Sequence, residues 1–129
     1  MEDLFALVIP RALLKRRKPP RVSLAEPSAE DLEQIEELRI QGSRLKVPHP
    51  IRVFVRFQDE KAARAAADFF AKEGFRCTLR ADAAESWTLI GVISLVPDPK
   101  VITWLREQMG SWTKELDGTY LGWDAPIVA

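Results

Sequence analysis

The chain has 129 residues, of which 47% are apolar and 29% are charged, and its 19 basic residues balance its 19 acidic ones. This composition is typical of one ordinary globular domain. The single cysteine of the chain excludes an intramolecular disulfide framework. The balanced charge predicts neither a nucleic-acid nor a membrane partner. No apolar run in the sequence approaches the roughly 20 residues that a membrane span needs. The short apolar run at 4–9 is preceded by acidic residues, whereas a secretory signal begins with basic ones. A cytoplasmic protein is therefore expected.

Residues 1–27 are predicted to form a separate N-terminal arm that is interrupted by prolines. These prolines are Pro10, Pro19, Pro20 and Pro27. The apolar run Leu4–Ile9 could form an extra strand, a packed arm or a contact with another subunit. The basic stretch Arg11–Lys18 is interpreted as a solvated connector, with contact to RNA or acidic lipid as the alternative.

The first helix is predicted over residues 28–41. Ser28 is a good N-cap, and Asp31 stands three residues later in an approximate capping box, while Gly42 ends the helix. The apolar stripe of this helix consists of Leu32, Ile35 and Leu38. The clustered acids at 30–37 are interpreted as a solvated helix face rather than a metal site.

From Ile51 onward, alternating strands and amphipathic helices follow one another. The predicted strands are 51–57, 75–80, 87–96 and 119–127, and the predicted helices are 60–73 and 99–117. This β-α-β-β-α-β order with right-handed crossovers predicts an α+β, ferredoxin-like fold, in which one face of a four-stranded antiparallel sheet carries both helices. Residues 28–129 form this single domain, and the first helix is an addition that covers a sheet edge or part of the open face.

Reactive groups are sparse in this sequence. His49, the only histidine, is interpreted as a local structural residue, and Cys77 as a small residue that faces the core. Zinc-binding cysteine pairs and glycine-rich phosphate loops are missing from the sequence, so neither a metal nor a cofactor is expected. The sequence therefore predicts a protein that is not an enzyme.

The best binding candidate is the sheet face that points away from the two helices. Strand parity places on it Arg52, Phe54, Arg56, Arg76, Thr78 and Arg80. The arginines could bind carboxylates of a partner protein with Phe54 as an anchor, or they could bind RNA. In a third interpretation, Phe54, Ile90 and Val92 pack under the first helix or under a second subunit, so a homodimer stays open.

Several motifs occur here in an ordered series. The first is Gly42-Ser43-x-Leu45-x-x-Pro48-His49, followed by the alanine-rich segment 62–67, Glu73-Gly74-Phe75 and Leu95-Val96-Pro97-Asp98. The series closes on Gly118-Thr119-Tyr120-Leu121-Gly122-Trp123. Over residues 28–124, this order resembles the bacterial regulator of ribonuclease activity B family. That family ends in Tyr-Asp-Gly-Trp, and Leu121 stands here in place of the aspartate.

The resemblance implies a non-catalytic, protein-binding regulator with a ribonuclease as its partner, and it marks Gly118, Tyr120, Gly122 and Trp123 as mainly structural. Alternatives are an RNA-binding module that uses the open face with the N-terminal basic cluster, and a regulatory dimer that binds a small molecule. Simple alternation places Tyr120 and Trp123 on opposite faces, unless Gly122 forms a bulge that resets the count.

Overall fold

The computed structural model describes residues 21–129, which form three helices and one sheet. The helices are α1 (Ala29–Ile40), α2 (Glu60–Lys72) and α3 (Pro99–Glu115). The strands are β1 (His49–Phe57), β2 (Arg76–Ala81), β3 (Trp87–Leu95) and β4 (Gly118–Asp124). No helix within this part of the chain has the length and apolar character that crossing a membrane requires.

The four strands are all antiparallel and lie in the order β2-β3-β1-β4. This is the predicted α+β, ferredoxin-like arrangement. The core lies between the sheet and the helices α2 and α3, because the alternate residues of β1 that face this side are fully buried together with the apolar sides of both helices. Its central side chains are Ile51, Val53, Val55, Phe57, Leu89, Phe70, Ile102, Leu105 and Met109.

Helix α1 packs beside α3 and against β4, so it covers an edge of the sheet. Its buried residues are Asp31, Ile35 and Leu38. The prediction that Leu32 belongs to the apolar stripe is wrong, since its side chain is 43% exposed. The prediction that the acids at 30–37 form a solvated helix face is wrong for Asp31. This residue is buried because it lies on the side of α1 that contacts α3 and β4.

Element boundaries differ from the sequence prediction at the two ends of the sheet. β1 begins at His49 rather than at residue 51, and β4 ends at Asp124 rather than at 127. Beyond β4 the backbone is irregular, and the Arg44 amide donates a hydrogen bond to the Val128 carbonyl at 2.7 Å. The end of the chain is thereby fastened to the loop between α1 and β1.

The segment before α1 runs along the helical layer. The Arg21 guanidinium lies 5.6 Å from the ring centre of Trp104, and the Ser23 amide donates to the Lys100 carbonyl at 3.0 Å. The interpretations of Leu4–Ile9 and Arg11–Lys18 concern a part of the arm that lies outside the described residues.

Candidate functional site

The side of the sheet opposite the helices forms three cross-strand rows of side chains. Antiparallel register places Arg76, Val92, Arg52 and Asp124 in the first row, Thr78, Ile90, Phe54 and Gly122 in the second, and Arg80, Thr88, Arg56 and Thr119 in the third. An apolar pair, Ile90 and Phe54, therefore lies between two rows that carry arginines. We call this set of three rows the open face.

The open face is accessible in the part of the chain that the structure describes. The four arginines are exposed, whereas Phe54, Ile90 and Val92 are partly exposed. The side-chain hydrogen bonds of α1 reach α3 and β4, so this helix is held at the β4 edge. The first turns of α1 instead border one end of the open face, because Ser28, Glu30 and Gln34 line the same cleft as Phe54, Arg80 and Thr88. Cover by a second subunit stays a prediction.

Two of the four arginines are paired within the chain. Arg52 donates from Nε and Nη2 to the two carboxylate oxygens of Asp124, at 2.7 and 2.6 Å, and this pairing raises the pKa of Arg52. Its guanidinium also lies 5.4 Å from the ring centre of Phe54. Because a bidentate pair orients the guanidinium, Arg52 is held beside Phe54.

Arg80 belongs to a small network at the end of β2. Its Nε lies 3.3 Å from Oδ1 of Asp82, and the Thr88 hydroxyl donates to Oδ2 of the same carboxylate at 2.6 Å. The hydrogen bond from Thr88, with help from Arg80, lowers the pKa of Asp82. Within residues 21–129, Arg56 and Arg76 form no ion pair, so their guanidinium groups are free to donate hydrogen bonds to carboxylates.

A second polar cluster joins α1, α3 and β4 beside a cleft. Asp31 accepts from Trp123 Nε1 through Oδ1 and from Arg106 Nε through Oδ2, both at 3.0 Å. Gln34 Nε2 donates to the Trp123 carbonyl at 2.5 Å. The predicted capping box is half formed: Ser28 caps the Asp31 amide, whereas the Asp31 carboxylate turns to this cluster instead.

A bulge in β4 places both aromatic residues of the closing motif on the helical side. Phe54 pairs with Gly122 and Val55 with Tyr120, which leaves Leu121 as an extra residue. Gly122 has a φ of 130°, a conformation that a side chain rarely permits. Leu121 is 46% exposed at the bulge, so its side chain does not enter the core.

The hydroxyl group of Tyr120 is buried and has no hydrogen-bond partner within residues 21–129. Burial, together with the negative charge of Asp31, raises the pKa of Tyr120. Since this is the only tyrosine of the chain, ultraviolet titration of phenolate reports on it alone. We expect no phenolate in the folded protein at pH of about 10, where a free tyrosine is half ionised.

Urea-unfolded protein provides the comparison for this titration. Because its folded-state pKa is raised, Tyr120 contributes stability below the pKa of the unfolded state, and this contribution is lost as pH rises above about 10. The Tyr120→Phe variant must lack the phenolate signal. Ordinary ionisation of Tyr120 in the folded protein would contradict its burial.

His49 has a structural role at the start of β1. It is fully buried, its Nδ1 lies 2.8 Å from the Val47 carbonyl, and its Nε2 lies 2.7 Å from the Ser43 hydroxyl. The carbonyl can only accept, so Nδ1 carries a proton and donates to it. Ser43 also accepts from the Val128 amide at 2.8 Å. Both ring nitrogens are therefore hydrogen-bonded, and Ser43 links the histidine to the backbone at Val128.

Cys77 lies on the helical side of β2, opposite Gly91, and burial raises the pKa of its thiol. Since the thiolate is the reactive form, we expect alkylation by iodoacetamide at neutral pH to be at least several-fold slower in the folded than in the unfolded protein. A matched control moves the thiol one residue, in a Cys77→Ala, Thr78→Cys variant, to the open face. Equal rates for both folded proteins would contradict this placement.

Residues 21–129 contain no group of three or more histidine, cysteine or acidic side chains with the geometry to hold a metal ion. Strand parity assigned six residues to the open face, where the register places all of them, but it missed Asp124, which pairs with Arg52. It also missed the bond between Asp31 and Trp123. The only signal for this bond in the sequence was the position of Asp31, four residues before Ile35, which places the acid on the apolar side of the helix.

Comparison with protein families gives one match over most of the chain. The family model described as regulator of ribonuclease activity B matches residues 28–125. A search of curated proteins gives no significant match. The matched range begins at the N-cap of α1 and ends just after β4, so it includes every element of the fold.

Proposed function

The chain belongs to the regulator of ribonuclease activity B family, and from that premise we propose that it binds and restrains a ribonuclease through its open face, without chemistry of its own. The family is one of protein regulators that act on ribonuclease E, which makes this enzyme the first partner to test. A cytoplasmic location is part of the same proposal, because the ribonuclease acts there.

The arrangement around Phe54 is the observation that carries the choice of surface. Phe54 and Ile90 form an apolar centre, and the exposed guanidinium groups of Arg52, Arg56, Arg76 and Arg80 surround it. Aromatic and arginine side chains supply much of the binding energy at protein interfaces, and arginine binds carboxylates with two parallel hydrogen bonds. This chemistry suits an acidic protein segment with an apolar anchor.

Charge also favours a different protein over a second copy at this surface. The open face carries four guanidinium groups, and the carboxylates of Asp124 and Asp82 neutralise two of them. Stacking two open faces would bring like charges together out of water, which costs free energy. An acidic partner would instead neutralise Arg56 and Arg76.

The test is a cleavage assay with ribonuclease E from the same cells and an RNA substrate. We expect the purified protein to slow cleavage, and the Phe54→Ala, Arg56→Ala variant to need at least about 10-fold more protein for the same effect, since interface anchors contribute 2 kcal/mol or more. The matched control, Leu32→Ala with Arg64→Ala, removes an exposed apolar residue and an exposed arginine elsewhere.

Equal restraint by the double variant would show that the open face is not the contact surface. Failure of the unaltered protein to bind or restrain the enzyme would refute the proposed function. Binding of single-stranded RNA at low salt, with an affinity that falls steeply as salt rises, would favour the RNA-binding alternative instead.

A further inference from the structure

The two edges of the sheet differ in their capacity to accept another strand. The β4 edge is interrupted by the bulge at Leu121, and the Gln34 side chain occupies the Trp123 carbonyl. The β2 edge carries no such cover, since no segment of residues 21–129 pairs with its outer side. Thus β2 presents six residues of strand backbone to a partner.

The hydrogen-bond alternation of β2 identifies which of its backbone groups face outward. The Asp82 amide donates to the Ser86 carbonyl at 2.8 Å, and the register places residues 80, 78 and 76 in the same phase of the ladder. In an antiparallel pair, every second residue directs its amide and carbonyl toward the neighbouring strand, while the others direct theirs away. The amides of Cys77, Leu79 and Ala81 therefore point to the free edge.

The side chains of β2 define the chemistry of an added strand. Arg76 and Arg80 are exposed on the open face, two residues on either side of Thr78, whereas Cys77 and Leu79 are half-buried on the helical side. Directly opposed side chains of neighbouring strands lie about 5 Å apart, so carboxylates there would meet both arginines. Residues of the other parity would meet apolar surface.

From this edge we propose that the partner contributes an extended segment, with acidic and apolar residues in alternation, which adds to β2 as a fifth strand. The inference rests on the proposed function and states how the partner is engaged: backbone hydrogen bonds would supply affinity, and the alternating side chains would supply specificity. The acidic side chains of that strand would extend the open face and neutralise Arg76, and they would add a contact to Arg80 beside its pair with Asp82.

Amide hydrogen exchange in the full-length protein tests this proposal directly. The probe is a synthetic peptide of about ten residues, long enough to pair with all of β2, in which glutamate alternates with valine. In the free protein, the amides of Arg76, Thr78 and Arg80 should exchange slowly, and those of Cys77, Leu79 and Ala81 rapidly. The peptide should slow the exchange of the amides of Cys77, Leu79 and Ala81. A peptide with lysine in place of glutamate should not bind.

Two variants separate the backbone contribution from the charge contribution. Ala81→Pro removes one outward-pointing amide and places the proline ring at the edge. Because one hydrogen bond is lost and the ring hinders the approach of the peptide, binding should weaken by about 10-fold. Arg76→Glu with Arg80→Glu should weaken it by at least about 10-fold. The control Lys61→Glu with Lys114→Glu changes the net charge equally on the helical side and should leave binding unchanged.

Several outcomes would overturn the added strand. Peptide binding without protection of Cys77, Leu79 and Ala81 would place the peptide elsewhere. Slow exchange of these amides in the free protein would mean that the β2 edge is already occupied. If this protection depends on protein concentration, the occupant is a second copy of the chain; if it does not, the occupant is the segment 1–20. If ribonuclease restraint persists and is insensitive to Ala81→Pro, the added strand is wrong and the proposed function stands.

Discussion

Replacement of Trp123 by alanine is expected to lower the free energy of unfolding by about 3–5 kcal/mol, the usual cost of truncating a buried aromatic residue. The indole is 7% exposed and belongs to the core cluster beneath α1 and α3. Its Nε1 also donates to Asp31, whose other oxygen binds Arg106. The variant therefore leaves a cavity and removes one partner of a buried carboxylate.

Denaturant titration, followed by circular dichroism, measures this change, and Trp123→Phe separates its two parts. Phenylalanine keeps most of the apolar volume but cannot donate a hydrogen bond, so we expect a loss of about 1–3 kcal/mol. If Trp123→Ala and Trp123→Phe were equally stable, the packing of the indole would contribute little. A loss below about 1 kcal/mol for the alanine variant would refute its burial.

The second large effect on stability is expected when a single methyl group is introduced at Gly118. A Cβ atom at this position would lie 2.6 Å from Cε1 of Phe57 and 2.9 Å from Cγ1 of Val55. Both side chains are fully buried in the central strand, so neither can move without displacing the core. We expect Gly118→Ala to lower the free energy of unfolding by about 1–3 kcal/mol or more through overpacking.

Gly110→Ala is the matched control, because the same methyl group would meet no atom within 4 Å on the exposed side of α3. Alanine in a helix interior is favoured over glycine, so this variant should be about 0.5–1 kcal/mol more stable. The two substitutions should thus change stability in opposite directions in the same denaturant titration. Similar effects would contradict the close contact between Gly118 and Phe57.

Local patterns in the sequence were sufficient for the order of the elements. Ser28 was predicted to cap the first helix, and its side chain accepts a hydrogen bond from the Asp31 amide. Asp59 and Asp98, residue types that favour the N-cap, cap the other two helices in the same way. The alternation in 51–57 placed Arg52, Phe54 and Arg56 on the open face, and the intervening residues Ile51, Val53, Val55 and Phe57 are buried in the core. These features depend on neighbours within a few residues, which is the range over which sequence patterns act.

Patterns of the same kind were insufficient where one residue changed the geometry. Period two placed Tyr120 and Trp123 on opposite faces, but the extra residue in the bulge returns both to the helical side. The sequence left this alternative open because of Gly122, and the shift in register between β1 and β4 shows that the bulge is present. A bulge depends on the partner strand, so its presence is not decided by the strand's own residues.

The sequence by itself determined the fold class, the helix caps, the alternation of β1 and the absence of recognisable catalytic motifs, since all of these are local properties. Only the tertiary structure decided that Asp31 meets Trp123, 92 residues away, and that Arg52 pairs with Asp124, 72 residues away. These contacts depend on how α1 packs beside α3 and how β1 aligns with β4. Many local sequences are compatible with such packing, so a side chain's partner follows from the assembled core and not from the segment that carries it.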